Sequence, residues 1–237
     1  MRRLAASHVL ILGLGGVGSF AAEALARCGV GRFTVVDHDV VAESNINRQL
    51  VALHSTIGRP KVEVMRERML DINPRAEVTA VRMFYRPENA GAIFFDGDGD
   101  VAATFNGIVD AMDTTRAKLD VAVRAMAAGI PLVSCMGMGN RLDPTQVRVG
   151  DLFETQGCPM CRVIRKKLRT RHGITSLRAV YSLETPVEVE EIHATDTLCT
   201  SKRPTPGSIS TVPAAAGLAL ASEVIRILTA RGLPRLT

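Results

Sequence analysis

One stretch near the N-terminus narrows the possible folds more than any other. His8-Val9-Leu10-Ile11-Leu12 is a short apolar run of strand formers, Gly13-Leu14-Gly15-Gly16-Val17-Gly18 follows it, and Ser19 to Cys28 is alanine-rich and helix-forming. Strand, glycine turn and helix in that order make a turn tight enough to need residues without Cβ. Its backbone N–H groups can then approach phosphate oxygens at the positive end of the new helix. The second strand, Phe33 to Asp37, ends in a carboxylate at about the twenty-residue distance of a ribose contact. Gly13, Gly15, Gly16 and Gly18 are therefore expected on a nucleotide, with Asp37 on its ribose.

Downstream, strands and helices alternate. Gly58-Arg59-Pro60 opens a helix whose Val62, Met65, Met69 and Ile72 follow the helical period until Asn73-Pro74 stops it. A short helical turn is expected around Asn45 to Leu50, strands at Glu77 to Phe84, Gly107 to Met112 and Ile130 to Cys135, and helices at Pro87 to Phe95 and Thr114 to Ala128. This alternation predicts an α/β fold, a doubly wound, mostly parallel sheet with helices on both faces. From Gln146 the order changes to a strand, a basic helix from Pro159 to Arg171, and a strand from Leu177 to Leu183. Residues 184–208 are rich in Pro, Thr and Ser and read as a lid or crossover. The whole is read as one domain, 1–237, with a nucleotide-binding half, 1–136, and a C-terminal half, 137–237, that extends the sheet.

Composition excludes more than it selects. A chain of 237 residues that is 46% hydrophobic can bury one good core, and its formal charge of +5 permits an anionic partner. The apolar stretch from Val212 to Ala230 is opened by Pro213 and interrupted by Glu223 and Arg226, which predicts a core helix and no membrane span. Five cysteines without disulfide-like spacing point to a reducing compartment, the cytoplasm. The Asp96-Gly97-Asp98-Gly99-Asp100 tract is not a calcium loop, because Val101 and Gly107 stand where such a loop needs glycine and glutamate.

A doubly wound sheet gathers its chemistry at the carboxyl ends of its strands. There the sequence places Asp37 and Asp39, then Asn45, Arg48 and Gln49, then Lys61 in the first turn of a helix, and finally Asp110 and Asp113. Arg48 can grip phosphate oxygens with two N–H groups, Lys61 can act as a point charge, and Asp113 can hold a magnesium ion that bridges phosphates. A nicotinamide enzyme binds its pyrophosphate mainly through backbone N–H groups and needs no such set, so the pattern favours ATP and nucleotidyl transfer.

These motifs, with Asp37-x-Asp39, Asn45-Ile46-Asn47-Arg48-Gln49, Gly58-Arg59-Pro60-Lys61, Ile72-Asn73-Pro74 and Asp110-Ala111-Met112-Asp113, resemble in order the adenylating domain of the superfamily that activates ubiquitin and the molybdopterin and thiamine sulfur carriers. Asp143-Pro144-Thr145-Gln146, Arg162-Val163-Ile164-Arg165-Lys166, Tyr181-Ser182-x-Glu184 and Pro206-Gly207-Ser208-Ile209-Ser210 with Val212-Pro213 resemble its branch of tRNA threonylcarbamoyladenosine dehydratases. The resemblance implies a Rossmann-like fold, Arg48, Lys61 and Asp113 as catalytic, Asn45 among the phosphate contacts, and Asp113 on magnesium. It implies adenylation of the threonyl carboxylate of the modified adenosine beside a tRNA anticodon, ring closure by its own carbamoyl group, and release of AMP and pyrophosphate. A homodimer is implied as well. Members of the family carry an N-terminal helical segment with an arginine that reaches the nucleotide, and this chain starts almost at its first strand. ATP binding is thus more firmly expected than turnover.

Other residues sort the alternatives. Cys158-Pro159-Met160-Cys161 has zinc-finger spacing, but no second pair accompanies it, and with Cys28, Cys135 and Cys199 isolated a four-ligand zinc site is not expected. Arg162, Arg165, Lys166, Lys167 and Arg169 crowd one helix with no acid among them, over an apolar face of Met160, Val163, Ile164 and Leu168, and are the expected RNA contact. Phe153 and Tyr181 are the nearby candidates for stacking on bases. The rival readings are activation of the C-terminal glycine of a ubiquitin-like sulfur-carrier protein, with a sulfur-relay or carrier partner, and a non-catalytic nucleotide-binding subunit.

Overall fold

In the computed structural model, residues 2–94, 105–187 and 207–230 are described. The elements run α1 (Arg2–Ala5), β1 (His8–Leu12), α2 (Gly18–Arg27), β2 (Arg32–Asp37), α3 (Lys61–Ile72), β3 (Glu77–Arg82), α4 (Gly91–Phe94) and β4 (Gly107–Asp110). They continue α5 (Thr115–Ala127), β5 (Leu132–Cys135), β6 (Val147–Asp151), α6 (Pro159–His172), β7 (Arg178–Ser182) and α7 (Thr211–Thr229). The Asp96–Asp100 tract, Cys199 and most of the expected lid lie outside the described residues.

Seven strands form one sheet in the order β3-β2-β1-β4-β5-β7-β6, parallel except for β6, which pairs antiparallel with β7. The chain steps from β1 outward to β2 and β3, then returns to the other side of β1 with β4. That reversal opens a crevice at the carboxyl ends of β1 and β4, where doubly wound sheets bind their ligands.

Strand side chains alternate between faces, and both faces are covered. Val9 and Ile11 pack with α2, α3 and α7, while Leu10 and Leu12 pack with α4, α5 and α6. All four are fully buried. The small residues of α2 let α7 come close. A Cβ added at Gly217 would stand 2.4 Å from the Val17 carbonyl oxygen and 3.1 Å from the Ala21 nitrogen, so these helices meet backbone to backbone. Val212, Ala216 and Leu220 are fully buried on that contact, and the apolar C-terminal stretch is a core helix as expected.

Three local expectations change. The helix expected from Pro87 shrinks to α4, because Asn89 spends its side chain on the Phe84 carbonyl and the Arg86 N–H and makes a turn there. The helical turn expected from Asn45 starts earlier, as a 3-10 turn over Glu43–Asn45. On α6 the buried face is Cys161, Ile164 and Leu168, and Val163 is 43% exposed. Ile164, Leu168 and the partly buried Met160 lie on the expected face; Cys161 joins them in place of Val163.

Candidate functional site

The glycine turn is held by the end of β2. Leu14 N–H donates to Asp37 Oδ2 at 2.7 Å, Asp39 N–H donates to Asp37 Oδ1 at 2.9 Å, and Gly13 N–H donates to the Val36 carbonyl. Asp37 thus shapes the turn as well as standing where a ribose is expected. The glycines divide by role. Gly13 has φ +90°, and its missing Cβ makes room for the Ala111 carbonyl, while a Cβ on Gly18 would lie 1.8 Å from the Gly13 oxygen. These two are needed by the turn itself. Gly16 packs against Pro213 and the Arg48 backbone, and beside Gly15 the nearest atom is Gln49 Nε2 at 3.9 Å, so the face of Gly15 is open.

The remaining candidates surround this turn. Lys61 is 4% exposed at the start of α3, its N–H donates to the Asp39 carbonyl, and its Nζ is 2.8 Å from Asp39 Oδ2. His38 Nε2 reaches the other Asp39 oxygen at 3.1 Å. Arg48 donates through Nη1 to the Ser44 carbonyl and to Asn47 Oδ1, and burial lowers the proton affinity of its guanidinium, which still remains charged. Asn45 accepts the Ala42 N–H, and the buried Gln49 Oε1 has no partner among the described residues. Asp113 is exposed just beyond β4, after the Ala111–Met112 segment that lies against Gly13. The nucleotide set named from the sequence is therefore brought together around one crevice.

The metal assignment is less direct. Among the described residues, the grouping of three metal-type ligands is Asp37, His38 and Asp39, with Asp39 already paired to Lys61, and Asp113 is not in it. Asp113 offers an exposed carboxylate at the crevice, a hard oxygen donor that suits magnesium shared with phosphate oxygens.

Beneath Asp113 lies a network that takes Asp110, placed with the site from the sequence, out of it, and whose other members, Lys118 and Ser134, the sequence reading missed. Asp110 is wholly buried; its Oδ2 accepts from Lys118 Nζ at 3.0 Å and Ser134 Oγ at 2.6 Å, and its Oδ1 accepts the Met112 N–H at 3.2 Å. Lys118 also donates to the Cys135 carbonyl. The signal was present: position 118 lies in the helical register of Val121, Ala122 and Ala125, and a lysine on that core face needs a buried partner.

On α6 the basic residues do not act alike. Arg162, Lys166 and Arg169 are exposed, and Lys167 is half-buried. Arg165 turns inward, donating to the Thr155 carbonyl at 2.6 Å and to Thr155 Oγ1, and so braces the loop before α6 instead of facing a partner. Phe153 lies under the Arg169 guanidinium at 5.3 Å, and Tyr181 covers Gly150, so both rings already have neighbours. Cys158 caps α6, and Cys161 one turn on hydrogen-bonds to it. This bond holds the Cys158 thiol below the usual thiol range against the opposing effect of burial. Burial pushes Cys135 up to about 12.

Comparison with known proteins gives a consistent picture. The ThiF family profile matches residues 1–237. The chain is 40% identical over 224 residues to the tRNA threonylcarbamoyladenosine dehydratase of Bacillus subtilis, covering 92% of this chain and 85% of that protein. It is 38% identical over 174 residues to the Escherichia coli dehydratase, covering 73% of this chain and 62% of that one. The crystal structure of E. coli tRNA N6-threonylcarbamoyladenosine dehydratase in complex with ATP superposes with a TM-score of 0.82 at 33% identity, covering 96% of this chain and 87% of that chain.

Proposed function

The chain belongs to the ThiF family and, within it, to the tRNA threonylcarbamoyladenosine dehydratases, and from that premise we propose how its own residues carry the reaction. It binds ATP and is an ATP-dependent dehydratase of threonylcarbamoyladenosine in tRNA. A carboxylate is a poor electrophile until one of its oxygens carries a good leaving group. The threonyl carboxylate attacks the α-phosphorus of ATP, pyrophosphate leaves, and the carbamoyl group of the same arm then attacks the activated carbonyl and expels AMP. An intramolecular nucleophile at high effective concentration suffices for that second step.

In this reading Gly15 N–H and Gln49 face the nucleotide, Arg48 and Lys61 hold phosphate oxygens, and Lys61 exchanges part of its contact with Asp39 for the phosphate. Asp113 would hold magnesium, which neutralises phosphate charge when bound. Asp37 keeps the turn closed and offers its remaining lone pairs to the ribose, and Asn45 fixes the loop that carries Arg48. Arg162, Lys166 and Arg169 meet tRNA phosphates, with Lys167 beside them. The enzyme works as a homodimer in the cytoplasm. The observation that supports this most is that Arg48 and the segment leading to Asp113 both pack on the glycine turn, while Lys61 is tied through Asp39 to the end of β2 that holds the turn. Gly16 touches the Arg48 backbone and Gly13 touches the segment leading to Asp113.

The test offers ATP and magnesium with three acceptors: tRNA carrying threonylcarbamoyladenosine, the same tRNA unmodified, and a carrier protein ending in Gly-Gly. AMP release with the modified tRNA alone supports the proposal. Pyrophosphate release with the carrier protein alone, the AMP staying on its C-terminal glycine, would move the assignment to sulfur-carrier activation, and ATP binding without pyrophosphate release to a non-catalytic subunit.

A further inference from the structure

One edge of the Arg48 guanidinium is already spent. Nη1 donates to the Ser44 carbonyl at 2.7 Å and to Asn47 Oδ1 at 2.8 Å, so both of its hydrogens are used inside the loop that carries it. Of the N–H donors of an arginine, those on Nε and Nη2 are left without a partner among the described residues. Together they form the parallel fork that fits two oxygens of one phosphate.

The side chain that sets this orientation is itself anchored. Asn47 Nδ2 donates at 2.7 Å to the carbonyl of Ser208, three residues before α7 begins. The guanidinium can only donate and the carbonyl can only accept, so these two neighbours decide which way the Asn47 amide is turned. A carboxylate at this position could not donate to Ser208, and an ammonium could not accept from Arg48. The stem of Arg48 meets the same helix. Gly16 lies between Arg48 and Pro213, in the first turn of α7: a Cβ there would stand 3.1 Å from Pro213 Cβ, 3.3 Å from the Arg48 carbonyl oxygen and 3.4 Å from Arg48 Cγ. Ser208 and Pro213 therefore hold the head and the stem of Arg48, one through Asn47 and the other through the glycine turn.

We propose that Asn47 is a positioning residue for the reaction: anchored on the lead into α7, it turns the Nε–Nη2 edge of Arg48 toward the phosphates. This deepens the dehydratase reading and rests on its placing of Arg48 on phosphate oxygens. Asn47 is exposed, so its effect passes through Arg48 and not through the core. Without the bridge, Arg48 regains rotamer freedom that phosphate binding must then remove.

The test is a double-mutant cycle on ATP affinity with magnesium present, using the wild type, Asn47→Ala, Arg48→Ala and the double variant, with thermal unfolding measured on all four. Arg48→Ala should weaken ATP binding most. Asn47→Ala should weaken it by roughly three- to tenfold, the range of one net hydrogen bond. It should unfold at the wild-type temperature, because exchanging an exposed side chain changes stability little. In the Arg48→Ala background, Asn47→Ala should weaken binding no further, since nothing is left for it to position. An Asn47 that merely supported the loop would cost affinity in that background too. Asn47→Ala binding ATP like the wild type, or weakening it by the same factor in both backgrounds, would overturn this assignment and leave the dehydratase reading standing. Arg48→Ala binding ATP like the wild type would overturn the placement of Arg48 beneath it.

Discussion

Asp110 Oδ2 and Lys118 Nζ lie 3.0 Å apart, and neither side chain reaches solvent. The pair joins the end of β4 to α5, and through the Cys135 carbonyl and Ser134 Oγ it joins both to β5. Its other oxygen fixes the Met112 N–H, one residue before Asp113. Removing one partner leaves an uncompensated buried charge, which costs about 3–5 kcal/mol, whereas removing both costs much less. Lys118→Met should therefore shift the denaturant midpoint strongly downward, and Asp110→Asn combined with Lys118→Met should recover most of the loss. Equal loss in the single and double variants would show that the pair is not what holds this corner.

The glycine turn separates a folding role from a binding role. Gly18→Ala places a Cβ 1.8 Å from the Gly13 oxygen, so the protein should be destabilised and ATP binding lost with it. Gly15→Ala meets open space. It should melt like the wild type yet bind ATP roughly tenfold more weakly or worse, because the methyl stands where a phosphate must approach the backbone. Thermal unfolding and ATP titration on the two variants check this, and parallel behaviour would contradict it.

The basic helix should contribute through charge and not through base reading. Each phosphate contact adds about one to the slope of log affinity against log salt, so Arg162→Gln, Lys166→Gln and Arg169→Gln together should flatten that slope for tRNA by up to about three. Arg165→Gln should instead lower stability, because its guanidinium braces Thr155. An unchanged slope in the triple variant would place the tRNA elsewhere.

Acid should destabilise the fold at the first strand before the protein's carboxylates titrate. Burial, with Arg32 adding to it, holds His8 below the ordinary imidazole value, its Nδ1 has no partner among the described residues, and its Nε2 lies 3.0 Å from Thr34 Oγ1. The unfolded chain takes up this proton near pH 6.5, before the folded one does, so stability is full above that pH and falls as pH drops toward the lower folded value. His8→Gln should flatten the stability profile between about pH 7 and pH 5. A slope unchanged in the variant would assign the loss to other groups.

Much of this was legible in the sequence because it depends on local rules. Strand, glycine turn and helix fix the neighbourhood of Gly13 to Gly18, Pro60 and the helical period fix the start of α3 and thus Lys61, and alternation fixes a doubly wound, mostly parallel sheet. What escaped depends on which face a long side chain takes after packing. Arg165 looks like its exposed neighbours until Thr155 is seen beside it, and Lys118 reads as a surface lysine unless its core register is weighed. Arg141 carries no periodic signal at all. Its guanidinium is held by the carbonyls of Gly137 and Gly139 in its own loop and by that of Glu184, brought in from β7's far end.

The most direct measurement follows an oxygen atom. With the threonyl carboxylate of the modified tRNA labelled with heavy oxygen, the wild type, ATP and magnesium should yield AMP carrying one labelled oxygen for every nucleoside that becomes lighter by one water, and Asp113→Ala should yield neither. Water loss with unlabelled AMP would contradict carboxylate adenylation, and AMP release with the nucleoside unchanged would contradict the dehydratase assignment.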